Sequence, residues 1–368
     1  MDRMPSTDTS GTQSTTSTTS SQSTESSQSV RSTIADELST GWSDASARAD
    51  LHYVSGKGGT GKTTVATSLA LALASTGKRV LLVEVEERQG IARIFDRSPL
   101  PYREELVARV DGGGKVFALA IDIEAAMLDY LDTFYHLGVV GKVMKSVGAI
   151  EFATTIAPGL KDVLLTGKIY EVVTRQHAKK EVVYDAVVVD APPTGRIGKF
   201  LDVTTAMADL AAGGPIRRQA DAVSELVHSP QTVVHLVTLL ESLPVQETIE
   251  AIEELRSHDL RVGQVIINRA ETRHLDDAAL QRIAEEDIDA EAVLAGLEET
   301  GVELDDEGLQ GLLVEAIEHA RVARGQLKAG ETLTSSGCPT LVLPALPNGV
   351  EVSDLYDLAS ALADQGVH

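Results

Sequence analysis

The sequence predicts an α/β protein: a mostly parallel β-sheet flanked by helices, with an additional helical subdomain. Three observations predict it. Seven short runs rich in β-branched residues alternate with longer stretches of helical pattern. Several runs are apolar at nearly every position, as strands covered on both faces must be. A glycine-rich turn joins the first run to a long helical stretch, the arrangement that places a ligand at the carboxyl ends of parallel strands. No internal repeat is visible, which disfavours a solenoid or a duplicated domain.

In chain order, the first segment adds nothing to a core. Residues 6–29 are almost all Ser, Thr or Gln, with no large apolar side chain to offset the entropy of ordering the backbone. Residues 1–45 therefore read as a disordered Ser/Thr-rich tail, and residues 46–368 as the folded domain. The tail has no apolar stretch of the kind a signal peptide carries, and no run approaches the ~18 apolar residues of a membrane span. The expectation is a soluble, cytoplasmic protein. The predicted strands are "LHYVS" (51–55), "RVLLVEV" (79–85), "KVFALAID" (115–122), "AVVVDA" (186–191), "VVHLVTL" (233–239), "RVGQVIINR" (261–269) and "TLVLPAL" (340–346). Helical segments are expected near 123–178 and 276–330. In the second of these, Leu309, Leu312, Leu313, Ala316, Ile317 and Ala320 recur at helical spacing, so the region should pack on something larger.

Charge and cysteine content narrow the function classes. With 32 Lys+Arg against 55 Asp+Glu the formal charge is −23, which argues against a nucleic-acid or anionic-lipid surface. Thirteen acids and a single Arg fall between residues 276 and 307, read as a solvated helical face with an acidic docking surface as the other option. Cys338 is the only cysteine, so a disulfide framework or multi-cysteine metal site within one chain is excluded.

The glycine-rich turn is "VSGKGGTGKTTVA" (54–66), and it fits G-x-x-x-x-G-K-[ST] with Gly56, Gly61, Lys62 and Thr63. In this pattern the glycines, here Gly56, Gly58, Gly59 and Gly61 with Thr60 among them, let backbone N–H groups turn inward around an anion. The helix opening at Thr64 presents its positive N-terminus, Lys62 reaches the outer phosphates, and the Thr63 hydroxyl can ligate Mg²⁺. Hydrolysis also needs a carboxylate on the metal side and a group that orients water. Asp190 ends the strand in "YDAVVVDAPPTGR", where it would face the phosphates, and Thr194 and Gly195 follow in a loop suited to sensing the γ-phosphate. The second strand also ends in acids, "LLVEVEERQG", with Glu84 and Glu86 on one face and Glu87 opposite.

These residues carry a resemblance. "GKGGTGKTT" resembles the deviant Walker A motif G-K-G-G-x-G-K-[ST]-[ST], and "DAPPTGR" is similar to the switch II of ArsA-type anion-transporting and tail-anchored-protein-targeting ATPases. "LPVQETIEAIEEL" resembles the family segment with E-T before a long helix, and "VIINR" the strand whose Asn reads adenine. Order and spacing match from about residue 51 to the C-terminus, most closely the actinobacterial branch. The resemblance implies a P-loop ATPase using ATP and Mg²⁺ and acting as a dimer. In it Lys57 would cross the interface to the neighbouring nucleotide, an arginine-finger device made with lysine. It further implies that Lys62 and Thr63 hold phosphate and Mg²⁺, that Asp190 acts on the Mg²⁺ side through water, that Thr194 and Gly195 belong to switch II, that Asn268 recognises adenine, and that Pro344 and Ala345 line the base pocket.

The departures matter as well. Where the family's switch I has D-P-A, with the Asp positioning water, this chain has Glu86-Glu87-Arg88, a carboxylate with roughly 1.5 Å more reach. Glu86 is thus the candidate that orients water, with slow hydrolysis or a shifted geometry as the consequence. Arg196 holds the position of the switch II His. With Cys338 alone and none of the nine His forming a close cluster in sequence, neither zinc, arsenite nor an iron–sulfur cluster is expected. The leading expectation is an ATPase that passes nucleotide-driven dimer motion to a partner, client or membrane protein, as a homodimer or with a related chain. A nucleotide-gated scaffold with negligible turnover is one alternative. A Min- or Par-type partitioning ATPase is the other, disfavoured by the acidic last helix "EVSDLYDLASALADQGVH". A client groove would draw on Met127, Leu128, Tyr130, Leu131, Phe134, Tyr135, Val143 and Met144, although such stripes are more often core.

Overall fold

Strands that meet helices on both faces bury every side chain, and β1 (Leu51–Gly56) does so along its whole length. The computed structural model describes residues 37–135, 159–175, 183–202, 215–271, 275–346 and 349–368. In it β1 is followed by β2 (Arg79–Glu84), β3 (Glu105–Arg109), β4 (Lys115–Ala120), β5 (Ala186–Asp190), β6 (Thr232–Thr238), β7 (Val262–Ala270) and β8 (Thr340–Pro344). They form one sheet of order β3-β4-β2-β5-β1-β6-β7-β8, parallel throughout except for the β3–β4 pair. β1 thus lies between β5 and β6, with Val54 in register with Asp190 and Gly56 with Val237. This brings the ends of β1, β2 and β5 together, since Glu84 is also in register with Asp190.

The period of two divides the core. Leu51 and Tyr53 face a layer that includes Val163, Ile169, Phe200, Val223 and Leu255 from four helices. Val54 faces the other layer, with Val65, Leu69 and Leu73 of the helix Lys62–Ala74 and Leu355 and Leu358 of the helix Val352–Asp364. The helix Lys62–Ala74 is buried from Val65 to Ala74, which explains its Ala/Leu sequence without a polar stripe. No described helix is long and apolar enough to cross a membrane.

Three expectations change. The sheet has an eighth strand, β3, which the sequence reading passed over: "ELVAR" alternates and exposes Arg109, as an antiparallel edge strand does. The segment read as tail to residue 45 is packed from residue 37 onward. Thr40 N donates to Thr340 O at 2.9 Å, Trp42 N to Gln365 O at 3.0 Å, and Leu38 lies against Gly330. One Leu and one Trp in the polar stretch provide the apolar area that residues 6–29 lack. Residues 1–36 lie outside the described residues. Finally, among the described residues the stripe near 309–320 is buried only at Ala320, and its helix joins the main core further on, at Ala329 and Leu333. In the helix Asp306–Thr334 only Ala320, Ala323, Ala329, Gly330 and Leu333 are buried, and Leu312 is 38% exposed. Part of the acidity there is local: Asp276, Asp289 and Asp305 each cap a helix by accepting from an N–H three residues on.

Of the stripe between 127 and 144, Met127 is buried and Leu128 half-buried. The side chains of Tyr130, Leu131, Phe134, Tyr135, Val143 and Met144 lie outside the described residues.

Candidate active site

The loop after β1 has its shape before any ligand arrives. Gly59 and Gly61 sit at φ 92° and 89°, the left-handed region that glycine enters without strain. Thr60 is buried between them; its hydroxyl donates to Lys57 O at 2.9 Å, and its own carbonyl accepts from Asn268 Nδ2 at 2.9 Å. Gly61 is the N-cap of the helix Lys62–Ala74 and offers no side chain to its first N–H groups. Those donors and the helix dipole are left for an anion, so the residues present fit a nucleotide phosphate.

A cluster of carboxylates faces this loop. Thr63 Oγ1 donates to Asp190 Oδ2 at 2.7 Å. Burial raises Asp190 to about 6, reinforced by the charges of Glu84 and Glu86 and opposed by the Thr63 hydrogen bond and Lys62. A carboxylate so short of counter-charge beside a hydroxyl suits Mg²⁺, a hard cation that takes oxygen ligands.

Glu84 and Glu86, expected on one strand face, part company because β2 ends at Glu84. Glu84 is buried and accepts from the N–H groups of Gly90 at 3.0 Å and Ile91 at 3.1 Å, so it fixes the following turn. Glu86 lies in the loop, its side chain 20% exposed and 3.8 Å from Arg88 Nε. The loop is clamped further on, where Gln89 exchanges hydrogen bonds with both backbone groups of Leu100.

A cleft of about 210 Å³ opens beside Glu86, lined also by Arg88, Lys161, Asp162, Pro192 and Arg196. Here Lys161 pairs with Glu87 at 3.3 Å and Arg196 with Asp162 at 3.6 Å. Asp162 is raised by burial, with Arg196 and Lys161 pulling the other way. Ser55 Oγ donates to Pro192 O at 2.6 Å, fastening this segment to the end of β1. Thr194 and Gly195 form the first turn of the helix Thr194–Leu201 rather than a loop.

A second cleft, about 120 Å³, lies on the other side of the phosphate loop and is lined by Gly61, Thr64, Asn268, Arg269, Pro344 and Leu346, among others. Asn268 and Pro344 are brought together there. Ala345 is not on its wall; its N–H continues the sheet by donating to Ala270 O at 3.0 Å. Gly58 and Gly59 are exposed at the loop's crest. The two lysines are engaged differently: Lys62 acts on Asp190, whereas Lys57 Nζ pairs with Glu247 Oε1 at 2.6 Å. Sequence reasoning quoted the segment containing Glu247 but gave that residue no role, and it missed Lys161 and Asp162, whose ion pairs with Glu87 and Arg196 are long-range.

Over residues 50–213 the chain matches the model of a family described as anion-transporting ATPase. It is 54% identical over 338 residues to ATPase BagA of Mycobacterium tuberculosis, covering 92% of this chain and 99% of that protein. It is 23% identical over 259 residues to an arsenical pump-driving ATPase of Aquifex aeolicus, covering 62% and 83%. To ATPase GET3 of Rhodotorula glutinis it is 25% identical over 251 residues, covering 59% and 69%.

Proposed function

The chain belongs to the anion-transporting ATPase family and is an ATP hydrolase, and we propose that it works as a dimer that closes on Mg-ATP and passes the motion to a partner or client protein. The observation that carries the nucleotide part is the Thr63–Asp190 contact at 2.7 Å beneath a loop already held open by Gly59 and Gly61. Thr63 Oγ1 would hold Mg²⁺ directly and Asp190 through water. When bound, the ion neutralises charge on the phosphate oxygens. Gly56, Gly58, Gly59, Thr60, Gly61, Lys62 and Thr64 surround the phosphates, and Asn268 with Pro344 holds the base.

The dimer part rests on Lys57. A lysine engaged by Glu247 on the helix Ser242–Ser257 is available at the edge of the site, 36% exposed, while Lys62 serves the loop. Lys57 acts on the partner subunit's nucleotide, where its charge counts as the bridging bond breaks. Coupling runs through Lys161 and Asp162, which join the helix Leu160–Thr174 to Glu87 in the loop after β2 and to Arg196 in the first turn of the helix Thr194–Leu201. Glu86 orients the attacking water. Phosphate release by wild type, Glu86→Gln and Glu86→Asp, with Mg²⁺ and any sister subunit present, tests this. The Gln variant should bind ATP yet lose turnover steeply, and the Asp variant should retain it. A Gln variant as fast as wild type removes Glu86 from the reaction.

A further inference from the structure

The packed strap ahead of β1 carries Trp42, the single tryptophan of the chain. Its indole stacks on two histidines that the sequence gave no reason to join: His52 of β1 at 5.9 Å between centroids and His235 of β6 at 5.3 Å. The two imidazoles also stack on each other, 5.3 Å apart and 12° from parallel, with His52 Nδ1 and His235 Nε2 at 3.1 Å. Both rings are buried, at 1% and 0% exposure. In either tautomer one ring nitrogen of each histidine is engaged by the other. Among the described residues His235 Nδ1 has no hydrogen-bond partner, and neither do Trp42 Nε1 and Gln264 Oε1, so three buried polar atoms meet at this one interface without one.

Such groups are expensive to bury, so they subtract from what holds the strap on the sheet. Its ties include hydrogen bonds to Thr340, Gln365, Gly263 and Gln264 and the packing of Leu38. Protonated His235 would carry a charged N–H at Nδ1 with no acceptor among the described residues. Among the described residues, Trp42 stacks on the pair and Gly263 of β7, with Ser46 of the strap beside it, lies against the His235 ring, and none of the three titrates. The charge that acts on His52 is Lys78, which also opposes protonation.

We propose that residues 37–49 form a proton-operated clasp, closed while His52 and His235 are neutral and released from the sheet when the pair takes up protons. Burial holds His52 at about 4 and His235 well below its ordinary value, so the open state binds more protons than the closed one. Closure is therefore complete above about pH 6.5 and weakens as pH falls, by up to about tenfold per pH unit for each histidine. The carboxyl ends of the strands, where nucleotide binds, need not move.

Trp42 reports the clasp directly. In the full-length protein its emission should shift to the red between pH 7.5 and 5 while far-UV circular dichroism stays constant, and amide exchange at residues 38–49 should rise in the same range. The variant His52→Phe with His235→Phe keeps three stacked rings but cannot titrate, and its emission should stay flat. If that pair does not fold, His235→Phe alone should make the transition shallower. Wild-type emission unchanged to pH 5 would overturn the proposal. So would an equal transition in the phenylalanine variants, or emission and dichroism moving together as in global unfolding.

Discussion

Replacing Gly61 with Ala strikes the phosphate loop at two places at once. At φ 89° an L-residue is strained, by roughly 1–2 kcal/mol. The new Cβ would also land on Asn268 Nδ2, with Asn268 Cγ 3.7 Å away. Asn268 is 5% exposed and has little room to retreat, so its bond to Thr60 O must lengthen or break. Losing that bond with a buried carbonyl left unpaired costs about 1–3 kcal/mol. Together the two effects put the competent loop about 3 kcal/mol uphill, and at 1.4 kcal/mol per decade ATP affinity should fall on the order of 10²-fold. Calorimetric titration with Mg-ATP measures it, and thermal melting of the unliganded protein gives the strain separately. Gly58→Ala is the control for strain: a Cβ there meets nothing within 4 Å, so the melting temperature should be unmoved. ATP affinity of Gly61→Ala within threefold of wild type, or equal loss of stability at Gly58, would refute the account.

Lys62→Ala should abolish Mg-ATP binding in calorimetry, whereas Lys57→Ala should stay within a few-fold in affinity and lose on the order of 10²-fold in turnover, with activity partly regained when the two variants are mixed. Because Asp190 is raised to about 6 by burial, protons compete with Mg²⁺ below that pH, and apparent Mg²⁺ affinity should drop about tenfold per pH unit there. The same raised value means that Asp190 favours the folded apo-protein at low pH and that this contribution is lost as pH rises through about 6, which a pH series of melts on wild type and Asp190→Asn would show. Deleting residues 1–36 should leave the melting temperature unchanged, whereas deletion to residue 49 removes the Trp42 stack and Leu38 packing and should cost roughly 3 kcal/mol.

What the sequence made legible was whatever is written in consecutive residues. β1, the loop and its helix follow from one stretch of thirteen residues, because the strand, the glycines and the helix start are all local features. Asp190 was legible because a carboxylate at the end of an apolar run is out of place as packing. The partners of these residues were not. Thr63 and Asp190 lie 127 positions apart, Lys57 and Glu247 190, and His52 and His235 183. Such pairs depend on strand order, and composition gives no strand order. Glu84 was misread for a different reason: alternation placed it beside Glu86, but the strand stopped and its carboxylate went to two backbone N–H groups. β3 was missed because an edge strand with a charged end is locally indistinguishable from a polar connection.

The charges around the loop separate what is settled before nucleotide binds from what nucleotide must change. Glu84 is satisfied by backbone donors and has no need of a metal. Asp190, with one hydroxyl, the charge of Lys62 nearby and still a raised affinity for protons, is short of the positive charge that Mg²⁺ would supply. Lys57 is the opposite case, already paired at 2.6 Å, and to reach a phosphate it must leave Glu247. The pair is 36% and 33% exposed, where an ion pair contributes at most about 1 kcal/mol because water and salt screen it. Had it been buried, parting the two charges would cost about 3–5 kcal/mol and the lysine would be fixed in its own subunit. A weak exposed tether holds Lys57 at Glu247, yet lets a phosphate of higher charge take it. That makes the cis pair compatible with a lysine that works on another subunit's nucleotide.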